Sequence, residues 1–166
     1  ILKEKISMKK LNGIDSFRYY SLYKMATIYT MSLLYIAIGF KHFSDPNFFI
    51  EIVPSYISWK YEAVYISGFG EIILGILLIF KKSRNLASYG LILLLIAVFP
   101  ANIYLYESEI AQQSLKISKN QALIRMPFQI PLILIAYWHS KEKHSKKISI
   151  SSAIFFIPTI IYFASL

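Results

Sequence analysis

Residues 86–106 read LASYGLILLLIAVFPANIYLY and carry no charged side chain. A helix crosses the hydrocarbon core of a bilayer with roughly 20 mainly apolar residues, so this stretch predicts a transmembrane helix. Four more apolar runs of comparable length lie at about 20–40, 61–80, 122–139 and 148–166. Together the five runs predict an all-α membrane protein, with a four-helix transmembrane bundle and a fifth, C-terminal transmembrane helix.

The composition agrees with lipid as the outer solvent. Of the 166 residues, 56% are hydrophobic and 16% are charged, whereas a soluble domain usually has about 45–50% apolar and about 25% charged residues. The net charge of +9 is distributed between the apolar runs, which argues against a nucleic-acid partner. Cysteine is absent, and this excludes disulfides, thiolate metal sites and iron–sulfur ligation within the chain.

The charged residues lie in the links between the runs and predict an orientation. Basic residues are concentrated before the first run, between the second and third, and between the fourth and fifth: Lys3, Lys5, Lys9, Lys10, Arg18, Lys24, Lys81, Lys82, Arg84, Lys141, Lys143, Lys146 and Lys147. The alternate links hold fewer lysines, balanced by acidic residues. Because cytoplasmic links are enriched in Lys and Arg, we expect a multi-pass protein of the cell inner (cytoplasmic) membrane with a cytoplasmic N-terminus and an extracytoplasmic C-terminus.

The runs and links divide the chain into a basic cytoplasmic N-terminal segment (1–19), the four-helix bundle (20–139), a basic cytoplasmic link (140–147) and the additional C-terminal helix (148–166). The outer link 41–60 combines two prolines with five aromatic residues, and this mixture predicts a short interfacial helix or lid. The outer link 107–121 is polar and is expected to cap the bundle. His139 and His144 lie among lysines and are expected to be solvated.

A few strongly polar side chains fall within or beside the apolar runs. They are His42, Glu71, Asn102, Arg125 and Gln129. Ionisable groups in the hydrocarbon are costly, so they usually face the bundle interior and pair with one another. Arg125 and Gln129 are four residues apart and share a helix face, and Arg125 is the expected counter-ion of Glu71. The set predicts a ligand-binding or proton-handling cluster, with a purely structural role in fixing helix register as the alternative.

Small residues and prolines add local expectations. Gly68 and Gly75 lie on one stripe with Glu71, and small residues at that spacing let a neighbouring helix approach closely. Pro100 and Pro131 fall inside predicted helices, where a proline removes a backbone hydrogen bond and bends the helix.

Four motifs, in order and at regular distances, resemble the DoxX family of small bacterial integral membrane proteins. They are Gly39-Phe40-Lys41-His42-Phe43 with Pro46 and Phe49, Ser67-Gly68-Phe69-Gly70-Glu71-Ile72 with Leu74-Gly75, Phe99-Pro100-Ala101-Asn102-Ile103, and Arg125-Met126-Pro127-Phe128-Gln129 with Trp138. The resemblance covers about residues 24–138. It implies a four-helix membrane bundle with its polar residues gathered between the helices, and it leaves the fifth run unexplained.

The family takes its name from a small subunit of a thiosulfate:quinone oxidoreductase, so the resemblance implies a redox-linked membrane subunit. Its ligand would be a quinone or a similar lipid-soluble molecule, and the chain would be at most a subunit of a quinone-linked oxidoreductase. The related quinone-reducing thiol bundles use cysteines, which this chain lacks, so that chemistry is not carried over. Haem, iron–sulfur and zinc are not expected.

Two other functions stay open. The chain is alternatively a non-catalytic scaffold or assembly factor that docks a membrane or extracytoplasmic protein, or a second copy of itself, while the polar cluster only fixes the bundle. A small transporter or channel is a third hypothesis, and it is weakened by the absence of the paired repeats on which many secondary transporters are built.

Overall fold

The computed structural model describes the backbone of residues 2–142 and 144–164, and the side chains of residues 18–142 and 144–163. Its elements are α1 (Leu2–Ser44), α2 (Pro46–Ile50), α3 (Lys60–Ile79), α4 (Arg84–Glu107), α5 (Glu109–Leu115), α6 (Lys119–Ser140) and α7 (Lys146–Ala164). Every regular element in these ranges is a helix, so the predicted all-α class is confirmed. The short helix α2 lies in the link for which an interfacial helix or lid was predicted.

Four helical segments of the described chain are long and apolar enough to cross a membrane. They are residues 18–44 of α1, the whole of α3 and α4, and residues 146–163 of α7. This set differs from the predicted bundle, because it includes the C-terminal run and leaves out the run at 122–139. The reason is that α6 carries Arg125, Gln129 and His139 along its length, which makes it less apolar than the other long helices.

Although α6 is less apolar, one face of it is deeply buried in the bundle. Ile135, Trp138 and His139 on this helix are each at most 1% exposed. The helix packs against α4 and α7, and side chains of α1 reach it from a third side. Beyond the first turn of α6, its exposed side chains, such as Ile130 at 69%, are apolar, while Gln129 and His139 face protein, where polar residues cost less than on a lipid-facing surface.

The long helices follow one another around the bundle. Successive pairs in contact are α1 with α3, α3 with α4, α4 with α6, and α6 with α7. The Tyr20 hydroxyl donates a hydrogen bond to Ser149 Oγ, and the Tyr23 hydroxyl donates to the Ala153 carbonyl, both at 3.0 Å. These two bonds bring α7 back against α1 and close the ring of helices.

Several helix ends have side chains that satisfy their free backbone groups. At the start of α6, Ser118 and Gln121 form a reciprocal capping box, with bonds of 2.8 and 3.2 Å. At the end of α3, the Arg84 guanidinium donates to the carbonyls of Leu78 and Ile79 at 3.0 and 2.9 Å. The helices α4 and α6 continue through Pro100 and Pro131, so the kinks at these residues stay predictions.

The contact between α1 and α3 is built on glycine. A Cβ atom on Gly39 would lie 2.6 Å from the Gly68 carbonyl oxygen, and one on Gly68 would lie 2.5 Å from His42 Cβ. Two turns away, Ser32 Oγ donates to the Gly75 carbonyl at 2.6 Å. Because these approaches leave no room for a side chain, the two backbones meet only where α3 has Gly68 and Gly75.

We therefore expect Gly68→Ala to destabilise the fold. The added methyl group would collide with His42 and the α1 backbone, and we expect a loss of about 1–3 kcal/mol in the free energy of unfolding. Denaturant unfolding in detergent micelles measures this quantity.

Gly70→Ala is the matched control on the same helix. Its new Cβ would meet only Leu94, at 3.8 Å, which is an ordinary contact, and alanine is the better helix former by about 1 kcal/mol. Equal losses in the two variants would contradict the proposed role of the close contact.

Candidate functional site: a cavity at one end of the bundle

A cavity of about 410 Å³ lies between the helices at one end of the bundle. Its walls come from the C-terminal halves of α1 and α4, the N-terminal halves of α3 and α6, the end of α7, and the link after α2. All five polar residues singled out in the sequence line it: His42, Glu71, Asn102, Arg125 and Gln129. The rest of the wall is largely aliphatic and aromatic, so the polar groups stand within an apolar surface.

His42 and Glu71 form the closest polar pair of the site. His42 Nδ1 lies 2.9 Å from the Ile38 carbonyl oxygen and 3.4 Å from Glu71 Oε2. A carbonyl oxygen only accepts hydrogen bonds, so Nδ1 must carry the hydrogen, and Nε2 is the free acceptor of a neutral ring. Phe49 of α2 stacks on this ring at 3.6 Å between centroids, which fixes its plane.

The predicted ion pair between Glu71 and Arg125 does not form. Among the described side chains, no carboxyl group lies within ion-pair distance of Arg125, and Glu71 instead lies 3.4 Å from His42. The order of the helices gives the reason, because α4 lies between α3 and α6 in the ring. Glu71 therefore meets α1, and its Oε2 atom is buried without a hydrogen bond.

Arg125 is half-buried and lines the cavity from α6. Its Nε and Nη1 atoms have no hydrogen-bond partner among the described residues, and Tyr162 of α7 lies within electrostatic reach of the guanidinium. Gln129, one turn along α6, donates from Nε2 to the Leu95 carbonyl at 3.3 Å. Arg125 thus keeps unused hydrogen-bond donors at the cavity, whereas the Gln129 amide is engaged with α4.

Tyr35 belongs to the site and was missed in the sequence. Its side chain lines the cavity, is 6% exposed, and has a buried hydroxyl without a hydrogen-bond partner. It also lies within electrostatic reach of Glu71. The signal was present in the spacing, since Tyr35 precedes His42 by seven residues and so lies on the same face of α1.

The cavity reaches the surface of the bundle beside α3 and α4. Four of its lining residues are exposed and mark this opening: Tyr56, Trp59, Ile66 and Ala97. Ile66 and Ala97 lie on membrane-spanning segments, while Tyr56 and Trp59 belong to the link after α2. The opening is therefore partly lateral, between two helices that face lipid.

The opposite end of the bundle is closed by buried polar contacts. Lys24 is 7% exposed, its Nζ donates to the Lys141 carbonyl at 2.6 Å, and it lies 5.2 Å from the centre of the Trp138 ring. Thr27 gives its own hydrogen to the Lys24 carbonyl, so it accepts a hydrogen bond from His139 Nε2 at 3.0 Å. Trp138 donates to the Tyr20 hydroxyl.

The prediction that His139 is solvated is wrong, because this side chain is only 1% exposed. The neighbouring lysines belong to the link that follows α6, while His139 itself points between α1 and α6. His144, in that link, is half-buried and packs edge-on against Tyr137. Burial lowers the pKa of His144 below its ordinary value, and the nearby charges of Lys24 and Lys141 lower it further.

Comparison with known protein families identifies the family to which the chain belongs. Residues 31–140 match the model of a family described as a domain of unknown function (DUF8561), and the chain belongs to this family. The matched range begins inside α1, ends with α6, and contains every polar residue of the cavity wall. No curated protein and no solved structure matches the chain.

We expect Phe49→Ala to loosen the cover of the cavity. The stacked contact with His42 contributes about 0.5–1.5 kcal/mol, so its loss should speed amide hydrogen exchange in residues 46–57 by about twofold to tenfold. Phe43→Ala is the control, because it removes a stacked contact with Tyr65 at 5.4 Å between ring centroids and Phe43 does not line the cavity. An equal effect of both variants would contradict the role of the His42 contact.

Proposed function

We propose that this chain is an integral membrane protein that binds a lipid-soluble molecule with a polar head, a quinone or a close chemical relative, in the cavity. The observation that carries the proposal is the wall of the cavity itself. One otherwise apolar space holds His42, Glu71 and Arg125, with hydrogen-bonding atoms of Glu71 and Arg125 left unpaired.

The size and chemistry of the cavity favour a small amphiphilic ligand. Its volume of about 410 Å³ falls in the usual range of small-molecule sites, about 300–1,000 Å³. A quinone head is a flat, apolar ring with carbonyl oxygens that accept hydrogen bonds. Arg125 and Tyr35 are suitable donors to such oxygens, while His42 and Glu71 are suited to exchanging a proton with a hydroxyl group.

The lateral opening supports a ligand that partitions into the bilayer. Ile66 is 65% exposed on a lipid-facing side of α3 and also lines the cavity. A hydrophobic molecule can therefore pass from the hydrocarbon into the cavity without crossing water. A purely water-soluble ligand would gain nothing from this route.

The position of the protein in the membrane is part of the proposal. The links with most basic residues meet at the closed end, where Lys24 donates to the Lys141 carbonyl and Lys81 pairs with Glu142. Acidic residues flank the cavity end. By the enrichment of basic residues on the cytoplasmic side, the closed end is cytoplasmic and the cavity opens in the outer half of the inner membrane. All five long helices, α6 and the additional α7 included, would then span the bilayer.

The DoxX resemblance gives the proposal its redox context. As a DoxX-like protein, the chain would serve as a membrane subunit that holds quinone for a redox partner, and not as a complete enzyme. The alternative scaffold function shares the same bundle, but it gives no reason for unpaired polar atoms at a cavity. A transporter or channel is disfavoured, because the buried layer of Lys24, Trp138 and His139 lies between the cavity and the other end.

Binding can be followed through the chain's own tryptophans. Trp59 lines the cavity, whereas Trp138 lies in the closed end. We expect decyl-1,4-benzoquinone to quench fluorescence saturably in nanodiscs containing the full chain, and to lose this effect in Trp59→Phe. Ala63→Phe, which narrows the cavity, should weaken binding about tenfold or more.

Ala37→Phe is the matched control for this measurement, because Ala37 is exposed on α1 and does not line the cavity. Quenching that rises linearly with quinone content, without saturation, would sink the proposal. So would equal effects of the two phenylalanine variants.

Glu71→Gln separates ligand binding from a scaffold role. If the carboxyl group serves the ligand, the variant should keep its folded yield, since glutamine has the same shape, and should bind the benzoquinone several-fold more weakly. A drop in folded yield with unchanged binding per folded molecule would favour the scaffold. Size-exclusion chromatography and the quenching titration give the two quantities.

A further inference from the structure

The helix α7 lies outside the matched family range yet forms part of the cavity. The match ends at residue 140, and α7 begins at Lys146. Nevertheless Ile160 and Phe163 line the cavity beside α6. The site of this chain is therefore not confined to the family domain.

Aromatic contacts hold the end of α7 against the start of α6. Tyr162 stacks on Phe128 with 4.0 Å between ring centroids and 13° between planes, and Phe163 packs edge-on against the same ring at 6.4 Å. Thr159, one turn earlier, is 1% exposed. These contacts give the wall at α7 a defined position, because a stacked pair restricts both rings.

Phe128 follows Arg125 by three residues and so shares its face of α6, and the stack on Phe128 therefore places the Tyr162 ring beside the turn that carries Arg125. An arginine keeps its charge in proteins, and burying that charge costs free energy unless donors find acceptors. The nearby phenol oxygen offers electrostatic compensation, but Arg125 Nε and Nη1 still have no hydrogen-bond partner among the described residues. A ligand atom that accepts hydrogen bonds would supply what is missing.

This makes the site two-sided. On α1 and α3, Tyr35, His42 and Glu71 form one polar wall of the cavity. Arg125 of α6 belongs to a second wall, and Tyr162 of α7 lies within electrostatic reach of it. The two walls belong to helix pairs that α4 separates in the ring, and no ion pair joins them. A ligand head group with polar atoms on two opposite edges fits this arrangement better than a head group with polar atoms on one edge only.

We infer that α7 completes the ligand site: it closes the cavity beside α6, and Tyr162 positions Arg125 to receive a carbonyl oxygen on one edge of the ligand's head. The inference rests on the proposed binding function and assigns a role to the added helix. Tyr162 is a positioning residue, since it acts through Arg125.

The first test uses neighbouring residues of α7 in the full chain. Ile160 lines the cavity, whereas Ile161 is 64% exposed on the other side of the helix. We expect Ile160→Phe to weaken decyl-1,4-benzoquinone binding about tenfold and Ile161→Phe to leave it unchanged. Wild-type protein without saturable binding would overturn the proposed function, whereas wild-type binding with equal effects of both variants would overturn the role of α7 alone.

The second test removes one oxygen atom and keeps the stacking. Tyr162→Phe preserves the ring against Phe128, so folding measured by thermal unfolding should change little. Benzoquinone binding should weaken a few-fold, while binding of decylbenzene, which has no carbonyl oxygen, should stay the same. Equal weakening of both probes, or no weakening of either, would overturn the positioning of Arg125 by Tyr162, and this variant decides the matter if Ile160→Phe does not fold.

Discussion

The crossing of α1 and α3 at glycine is the contact on which the site depends. Gly39 and Gly68 bring the two backbones so close that His42 Cβ takes the space a side chain on Gly68 would need. Because the helices meet there, the His42 ring lies beside Glu71 from the next turn of α3. Phe49 then rests on that ring, which anchors the link over the cavity. A bulkier residue at the crossing would move the histidine, the carboxyl group and the cover together.

Buried polar groups in this bundle divide into two kinds. At the closed end, Lys24, Thr27 and Trp138 each have a hydrogen-bond partner, and the unpartnered atoms there, such as His139 Nδ1 and His144 Nε2, belong to imidazole rings and not to a carboxyl or guanidinium group. At the cavity, Glu71 and Arg125 keep unpaired atoms, and an uncompensated buried charge costs several kcal/mol. Sites that bind ligands commonly retain such costs, because the ligand supplies the missing partner. The contrast between the two ends is the physical reason to place binding at one of them.

Much of this arrangement could be predicted from the sequence, because lipid imposes simple rules on length and polarity. Four of the five long helices match their apolar runs within a few residues, while α1 begins at Leu2, well before its run at about 20–40. The five polar residues chosen for their cost line one cavity. Helix order could not be predicted, and for that reason Arg125 was paired with Glu71 across α4. The prediction that His139 is solvated was wrong because it relied on the lysines nearby in sequence. Those lysines begin just after α6 ends, whereas His139 still belongs to the helix. The role of Tyr35 could not be predicted, because only the structure shows that its hydroxyl group lies at the cavity and not at the membrane interface.

The buried layer of Lys24, Trp138 and His139 limits the paths by which a ligand could leave the cavity. In the proposed function, a ligand enters the cavity from the lipid beside α3 and α4, and among the described residues the buried layer at the closed end leaves it no passage to the other side. Such a ligand would return to the leaflet from which it came. The protein would then bind ligand from only one leaflet. It could hold a hydrophobic ligand or transfer it to a partner without moving it to the other leaflet.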